Sequence, residues 1–450
     1  MGRKIRIKKG LNIKLAGEAA REIIDTPLPD TIVIKPTDFI GIVPGLLVQQ
    51  GDEVLAGTPL FYDKKNKKVK FCSPVSGEIA EIVRGDKRKI LEIKILADKE
   101  IEYSSFDTIS VANPNRDLII ESLLNSGVWP LIRQRPFGII PDPDIKPKSI
   151  FISAFDSNPL APDIDFIMKG NDADFQSGVD ALSKLTDGKV HINVRAEQPS
   201  TFFESTKNAE INYISGPHPA GNVGVQIHHI DPVNKGEVVW CIQPQDVLII
   251  GRLLNHGKFD ASKIVALTGS GVLKPRYYRT VIGSSIKNII GDTVLKDGEQ
   301  RIISGNVLTG TQISADGYLG FYDNQITVIE EGNEPEFLGW IKPGFNKYSM
   351  SRAFFSWLIP SKVHTLDTNL HGEERPFVVS GQYEKVLPMD IYPVHLIKSI
   401  LVEDIELMEK LGIYEVVEED FALCEFICTS KIESQSIIRR GLDLVRKESA

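Results

Sequence analysis

The chain has 450 residues, of which 42% are hydrophobic and 25% are charged, and its formal net charge is −8 at pH 7. This length predicts roughly three or four domains, and the acidic balance argues against general nucleic-acid binding. No run approaches the ~18 apolar residues of a membrane-spanning helix, and the basic start, MGRKIRIKKG, lacks the apolar region of a signal peptide.

The first predicted domain covers residues 39–98 and follows an N-terminal segment, residues 1–38. Short β-rich runs alternate with Gly-Asp, Ala-Gly and Ser-Gly turns. The order V-x-x-G-D-x-V-x-x-G-x-x-L, then S-P-x-S-G, resembles the biotinyl/lipoyl barrel-sandwich family, whose hairpin-tip lysine carries the prosthetic group. Asn66 stands seven residues before Ser73, where that lysine would be. We therefore expect a scaffold; the alternative is a carrier with an acylated lysine.

Residues 104–260 predict a mostly parallel, helix-covered sheet of the Rossmann type. The stretch SIFISA and the stretch KVHINV are predicted strands, and three stretches are predicted helices: NPNRDLIIESLLNSG with Asn113 as N-cap, DFQSGVDALSKLTDG, and PQDVLIIGRLLNHG. Neither G-x-G-x-x-G nor G-x-x-x-x-G-K-[ST] occurs. The turn that brings a nucleotide phosphate to the start of a helix is therefore missing.

The remaining chain predicts a small α+β unit, a link and a helical end. Residues 261–331 hold short strands around one helix-like run, and residues 376–450 carry apolar residues at helical spacing. The link, residues 332–375, is rich in aromatic residues, including Trp340, which indicates inter-domain packing or a partner interface. The stretch 401–420 holds eight acidic residues against one lysine, a pattern typical of a solvated face.

Three histidines, His218, His228 and His229, lie between Ile214 and Val233 among glycines and prolines. We predict a β-type run here, in which adjacent histidines point to opposite faces and cannot serve one metal. The surrounding sequence supplies no further zinc ligands. A structural turn is favoured; contact with a ligand or with another protein of a complex is the alternative, and a metal site is disfavoured.

Four cysteines, Cys72, Cys241, Cys424 and Cys428, fit a reducing compartment. The C-x3-C pair near the end supplies two thiols, whereas a structural zinc or a [4Fe-4S] cluster needs four ligands. We expect reduced, buried thiols and no metal.

Four stretches in order, IRIKKGLNIKLAG, GPHPAGNVGVQIHHIDPV, GQYEKVLPMDIYP and EEDFALCEFICTSK, resemble the A subunit of the sodium-translocating NADH:quinone oxidoreductase. The resemblance runs from about residue 4 to the end. It implies a peripheral subunit on the cytoplasmic face of a bacterial inner membrane, whose chief partner is the membrane-embedded B subunit. It also implies that flavins and the [2Fe-2S] centre sit in other subunits, and that this chain holds no tight cofactor.

A more distant resemblance links KIVALTGSGVLKPRYYRTVIGSSIKNII to the flavoprotein subunit of respiratory complex I and to the C subunit of the Rnf complex. It implies a degenerate FMN- and NADH-binding domain at 104–260 and a soluble-ligand-binding β-grasp domain at 261–331. The counterpart of the glycine-rich loop is RQRPFGIIPDPD (133–144), in which Arg135, Pro136 and Ile140 stand in place of glycines; the counterpart of the acidic segment is AFDSNPLAP (154–162). Cys424 and Cys428 look like the remainder of an Fe–S cysteine run.

Together these inferences predict a subunit with a docking role and no complete active site. Contact with the quinone headgroup is possible through the histidine loop or the degenerate loop. The candidates for contact with quinone or a partner are His218, His228, Arg133, Arg135 and Phe137. The alternative function is a free-standing flavin-dependent NADH dehydrogenase.

Overall fold

The computed structural model describes residues 2–109, 115–333, 336–339 and 341–448, and only the backbone of residues 292–294. Within this part of the chain, 19 strands form four sheets accompanied by 12 α-helices. None of the described helices is long and apolar enough to cross a membrane. The predicted fold class, a multidomain α/β and α+β protein, is confirmed.

Two small antiparallel sheets form the barrel-sandwich domain. The four-stranded sheet has the order β3 (Thr31–Ile34), β9 (Ile90–Ala97), β8 (Gly77–Arg84) and β5 (Glu53–Val54); the three-stranded sheet has the order β4 (Pro44–Leu46), β6 (Pro59–Asp63) and β7 (Lys70–Cys72). Phe61 and Phe71 stack between β6 and β7, with ring centroids 4.4 Å apart. The hairpin tip turns at Asn66, whose backbone carbonyl accepts from Val69 N–H.

A six-stranded sheet forms the Rossmann-like domain. Its order is β1 (Lys4–Arg6), β13 (Glu210–Ser215), β12 (Val190–Arg195), β11 (Ile150–Ser153), β14 (Val239–Ile242) and β10 (Arg133–Arg135). All neighbours are parallel except β10, which pairs antiparallel with β14. The first five residues of β12 are buried, as expected for a parallel strand covered on both faces.

Six helices accompany this sheet. They are α1 (Arg116–Asn125), α2 (Ile164–Met168), α3 (Asp172–Leu185), α4 (Thr201–Glu204), α5 (Val223–Ile230) and α6 (Pro244–His256). The faces of α1, α3 and α6 pack into one hydrophobic core with the barrel-sandwich domain. The opposite side, including α5, packs against the C-terminal helices in a second core.

The β-grasp domain contains a second six-stranded sheet. Its order is β18 (Thr311–Ile313), β17 (Gln300–Ser304), β19 (Gln325–Glu330), β15 (Ser262–Thr268), β16 (Arg276–Val281) and β2 (Ala20–Asp25). The helix α7 (Lys287–Val294) is kinked at Gly291. A third core joins β15, β16, β17 and β19 to Ile286, Ile289 and Ile290.

The C-terminal part is helical, as predicted. It contains α8 (Tyr383–Val386), α9 (Pro393–Leu401), α10 (Ile405–Lys410), α11 (Ala422–Phe426) and α12 (Ser434–Glu448). The predicted single run over α9 and α10 is broken at Glu403, whose φ is +58°. Leu396, Ile400 and Leu442 are fully buried in the core that these helices share with the Rossmann-like domain.

The N-terminal segment, residues 1–38, takes part in three sheets. It supplies β1 to the Rossmann-like sheet, β2 to the β-grasp sheet and β3 to the barrel-sandwich sheet. Because one short stretch pairs with three different sheets, it connects the domains through backbone hydrogen bonds.

Two further local predictions differ from the structure. The helix α1 begins at Arg116, with Asn115 as N-cap accepting from Asp117 N–H; the predicted cap, Asn113, lies outside the described residues. The run at 223–230, predicted as β-type, is the helix α5. Valine and isoleucine favour strands locally, but burial of Val225, Ile227 and Ile230 overrides that preference.

Candidate functional site

A cavity of about 230 Å³ lies beyond the carboxyl ends of the central strands of the parallel sheet. Ser153 at the end of β11, Asp156 beyond it and Gln243 after β14 line the cavity. The β-grasp domain contributes Tyr322, and the C-terminal part contributes Glu419. Sheets of this kind bind their ligands at this edge, so the position alone makes the cavity the first candidate site.

Arg133 is the main cationic group of the cavity. It lies on the antiparallel edge strand β10, and its guanidinium sits 5.1 Å from the centroid of the Tyr322 ring. Among the described residues, its side chain forms no ion pair and no side-chain hydrogen bond. A guanidinium carries five N–H donors, so Arg133 has donors available for a ligand.

Two loop amides fix the opposite wall. Gln243 donates to the backbone carbonyl of Tyr322 at 3.1 Å, and Asn324 donates to the side-chain oxygen of Gln243. The Tyr322 hydroxyl donates to Pro130 O at 2.7 Å, which fixes the ring. The Asn324 side-chain oxygen is buried and has no hydrogen-bond partner in the described part of the chain. A buried acceptor that receives no hydrogen bond lowers the stability of the folded chain.

Two helices begin at the cavity. The helix α5 starts after Asn222 and the helix α6 after Gln243; neither residue caps its helix with its side chain. The Asn222 amide instead donates to Glu419 O at 3.2 Å. Unpaired N–H groups at a helix start carry partial positive charge. The first residue of α6 is Pro244, which has no N–H. Arg133 and the start of α5 therefore offer donors to a ligand oxygen, beside three carboxylates of the same lining, Asp156, Asp323 and Glu419.

The degenerate loop does not wrap around the cavity. Residues 134–139 form a tight hairpin, closed by hydrogen bonds between Gln134 and Ile139 in both directions. Arg135, only 2% exposed, binds Asp420 at 2.6 Å and also binds Glu419. The guanidinium is therefore neutralised within the chain, and no helix follows the hairpin to receive a phosphate.

The ion pair between Arg135 and Asp420 packs directly against Gly224 and leaves no room for a side chain there. A Cβ added to Gly224, in the first turn of α5, would lie 2.4 Å from an Asp420 oxygen and 2.5 Å from the Arg135 guanidinium. The glycine thus lets the ion pair lie directly against the start of α5.

Phe137 packs edge-on against Tyr414, and its carbonyl accepts from Arg439 at 2.8 Å. Arg135 and Phe137 therefore fix the C-terminal part to the sheet.

The acidic stretch at 401–420 is a solvated face, as predicted, only in its first part. Beyond the pairing of Arg135 with Glu419 and Asp420, His228 binds Glu415 at 2.6 Å and Lys235 binds Glu409 at 2.7 Å. Asp420 is 2% exposed. These four carboxylates lie at an internal interface, whereas Glu403, Asp404 and Glu406 are exposed; a one-dimensional charge count cannot separate the two groups.

His218 lies behind the cavity wall and not in it. Its Nδ1 is 3.1 Å from Ser157 Oγ, and Ser157 Oγ accepts from Gly221 N–H. The backbone N–H of His218 donates to Asn12. Burial lowers the pKa of His218 to about 4, so the ring is neutral at pH 7 and serves the turn.

We expect His218 to make the folded chain less stable as the pH falls. The pKa is about 4 in the folded chain and about 6.5 in the unfolded chain, so the unfolded chain binds the proton first. Stability is unaffected above pH ~6.5 and is lost as the pH falls towards ~4, by roughly 3 kcal/mol in total. The check is the urea midpoint of unfolding, measured across this pH range for the natural chain and for His218→Gln.

The control for this prediction is His395→Gln, because His395 is exposed on α9. The variant His218→Gln should lose part of the pH dependence, while the control keeps it. Equal pH dependence in all three proteins would contradict the assignment.

His228 and His229 lie on α5 and contact the C-terminal part. His228 Nδ1 faces Glu415, while its Nε2 accepts from Asp390 N–H at 3.0 Å. His229 Nε2 is 2.9 Å from Pro388 O. Both rings are therefore occupied by protein partners. Neither of them lines the cavity.

Cys424 and Cys428 are both buried. Burial raises the pKa of the Cys424 thiol well above its usual value, which opposes the thiolate that a metal needs. Among the described residues, no group of three or more His, Cys, Asp or Glu side chains could hold a metal ion.

Of the five predicted contact residues, Arg133 alone lines the cavity; His218 lies behind it, and Arg135, Phe137 and His228 fix the C-terminal part. Sequence reasoning missed Tyr322, Asn324 and Asn222. The signal for Asn222 was present, because Asn before an apolar run is a helix N-cap. Tyr322 and Asn324 carry no such signal, because only the tertiary fold brings the β-grasp domain to this edge.

Three sequence families match the chain. Residues 5–98 match the NqrA N-terminal barrel-sandwich hybrid domain, residues 115–259 the NqrA second alpha/beta domain, and residues 264–315 the NQRA C-terminal domain. The chain is 40% identical over 447 residues to the A subunit of the Na(+)-translocating NADH-quinone reductase of Yersinia pestis bv. Antiqua (strain Angola), covering 99% of this chain and 100% of that protein.

Two further relatives carry the same description. The protein of Neisseria meningitidis serogroup A is 40% identical over 450 residues, covering 99% of this chain and 100% of that protein. The protein of Rhodopirellula baltica is 39% identical over 448 residues, covering 98% of each. A solved NAD+-reducing [NiFe]-hydrogenase is 9% identical with a TM-score of 0.38, covering 78% of this chain and 68% of that chain; this similarity is too low to support an inference.

Proposed function

The chain belongs to the family of A subunits of the Na+-translocating NADH-quinone reductase, and from this premise we propose that its cavity receives the headgroup of the quinone substrate. The observation that carries the proposal is Arg133. Its guanidinium faces the cavity over the Tyr322 ring with its donors free of partners among the described side chains.

The chemistry of a quinone fits this wall. A quinone carbonyl accepts hydrogen bonds, and the ring gains negative charge when it is reduced. Arg133 and the start of α5 would donate to that oxygen and stabilise the charge.

The size and shape of the cavity support a single ring more than a nucleotide. Its volume of about 230 Å³ is below the ~300–1,000 Å³ typical of sites for larger ligands. A free-standing flavin-dependent NADH dehydrogenase would also need a turn that wraps a phosphate. The hairpin at 134–139, with Arg135 neutralised, does not supply one.

We place the chain on the cytoplasmic face of the bacterial inner membrane, where it would be a peripheral member of the complex. The membrane-embedded B subunit is the proposed chief partner, and the flavins and the [2Fe-2S] centre are assigned to other subunits. The four stretches that resemble the family support this arrangement. A carrier role is disfavoured, because Asn66 occupies the tip position of the acylated lysine.

The test is a calorimetric titration of the full chain with a short-chain ubiquinone. The natural chain should bind, and Arg133→Leu should bind roughly 10- to 100-fold more weakly, because a hydrogen bond from a charged group contributes about 1.5–3 kcal/mol. Arg84→Leu, an exposed arginine on the barrel-sandwich domain, is the control and should bind normally. Equal affinity of Arg133→Leu, or no binding by the natural chain, would reject the proposal.

A further inference from the structure

One irregular segment of the surface has an unusual composition. We call residues 341–363 the strap; it contains one short 3-10 turn, at Phe355–Leu358, between irregular stretches. Seven of its large apolar side chains are at least 46% exposed: Ile341, Phe345, Phe355, Trp357, Leu358, Ile359 and Val363. Such a concentration of exposed apolar side chains marks an interaction site.

The strap is also positively charged, although the chain as a whole carries −8. It contains Lys342, Lys347, Arg352 and Lys362, and no acidic residue. The neighbouring Glu336 binds both Lys342 and Lys347. With Glu336 included, four cations stand against one anion, so the local surface has a net charge of +3.

The strap folds upon itself through short turns. Backbone hydrogen bonds join Lys347 to Gly344, Arg352 to Ser349 and Lys362 to Ile359. The Phe345 and Phe355 rings contact each other at 5.8 Å, and Arg352 lies 5.6 Å from the Trp357 ring. These contacts hold apolar tips and cations side by side on one surface.

The strap is attached to the body of the protein near its end and near its middle, and the Lys14 side chain also donates to Pro360 O at 3.3 Å. Next to its end, His364 N–H donates to Lys14 O, and Ala16 N–H donates to His364 O. Within it, the Tyr348 ring packs against Phe426 of α11 at 5.8 Å. The exposed apolar side chains are therefore not needed to hold the strap in place.

We propose that the strap rests on the surface of a lipid bilayer that carries anionic headgroups. Apolar and aromatic side chains interleaved with cations bind the interface between headgroups and acyl chains, and each Lys or Arg near an anionic surface adds to the attraction. A protein interface is the weaker choice, because lysine is depleted there and three of the four strap cations are lysines. This proposal does not depend on the quinone site.

The test is co-sedimentation of the full chain with vesicles of phosphatidylcholine alone, and with vesicles in which phosphatidylglycerol replaces half of it. The natural chain should bind the anionic vesicles roughly 100-fold more tightly, from three net charges near the surface. The triple variant Lys342→Gln, Arg352→Gln, Lys362→Gln should lose this preference. A second variant, Phe345→Ser with Leu358→Ser, should bind on the order of tenfold more weakly.

The control removes the same charge from another basic surface. Lys64→Gln, Lys65→Gln and Lys67→Gln change three exposed lysines at the barrel-sandwich hairpin tip and should leave vesicle binding unchanged. A thermal melt by circular dichroism shows that each variant is folded. Equal binding of anionic vesicles by the natural chain and by both strap variants would overturn the proposal. It would also be overturned if the natural chain bound no vesicles and the strap variants failed to co-purify with the other subunits.

Discussion

Replacing Arg135 by methionine should lower the free energy of unfolding by about 3–5 kcal/mol, because it leaves a buried carboxylate without its partner. Arg135 binds Asp420 at 2.6 Å, and both residues are only 2% exposed. Burial raises the pKa of Asp420, and the nearby guanidinium opposes that rise. Without it, the carboxyl group must be protonated or hydrated, and either change loosens the C-terminal part from the sheet.

The measurement is denaturant unfolding, with limited proteolysis of the C-terminal part as a second readout. The double variant Arg135→Met with Asp420→Leu should recover much of the loss, because an apolar pair of similar volume often replaces a buried ion pair without penalty. If Arg135→Met were as stable as the natural chain, the pair would not be what joins these two parts.

Replacing Lys263 by methionine should cost a similar amount, about 3–5 kcal/mol, at the junction with the β-grasp domain. Lys263 lies on β15 and Asp246 in the first turn of α6, 2.7 Å apart, with side-chain exposures of 0% and 1%. Burial raises the pKa of Asp246, and the Lys263 charge counteracts it. The neighbouring Gln245 exchanges two hydrogen bonds with the backbone of Ile264, so the two domains meet in a polar seam.

Denaturant unfolding again provides the measurement. The matched control is Lys287→Met, since Lys287 is an exposed lysine of the same domain whose ion pair with Asp316 spans 3.7 Å, and exposed pairs contribute only about 0–1 kcal/mol. The variant Lys263→Met with Asp246→Leu should regain stability. Equal stability of the control and of Lys263→Met would show that the buried pair is not what holds the seam.

These two pairs explain how the cavity keeps its shape. Asp246 and Lys263 hold the β-grasp domain, with Tyr322 and Asn324, against the start of α6. Arg135 holds the acidic stretch against the start of α5. The cavity is thus a junction of three domains, and loosening either pair should also weaken binding there.

The fold class was predictable because its signals are local. Alternating patterns with Gly-Asp turns marked the barrel-sandwich strands, and Pro244 and Gly257 delimited α6 as it is found. The run at 223–230 was predicted wrongly, since its valines favour strand locally while tertiary burial makes it a helix. Nothing in the sequence of residues 1–38 indicated that its three strands would join three different sheets, because sheet partners are set by long-range contacts.

The site was predictable only in part. Arg135, Pro136 and Ile140 in RQRPFGIIPDPD predicted a loop that cannot wrap a phosphate, and the structure has a tight hairpin at 134–139. Arg133 stood in that stretch. The sequence could not show that Arg135, two residues later, faces a buried aspartate while Arg133 faces the cavity. Residues two apart on a strand lie on the same face, so strand geometry could not separate the roles of these two arginines. Their different partners come from distant parts of the chain, which only the tertiary fold brings together.

The quinone site is tested most directly by a crystal structure of the full chain soaked with a short-chain ubiquinone. We expect a ring in the cavity beside Tyr322, with one carbonyl oxygen at about 3 Å from the Arg133 guanidinium. A ring bound elsewhere while this cavity holds none, or a flavin retained at this edge of the sheet, would contradict it.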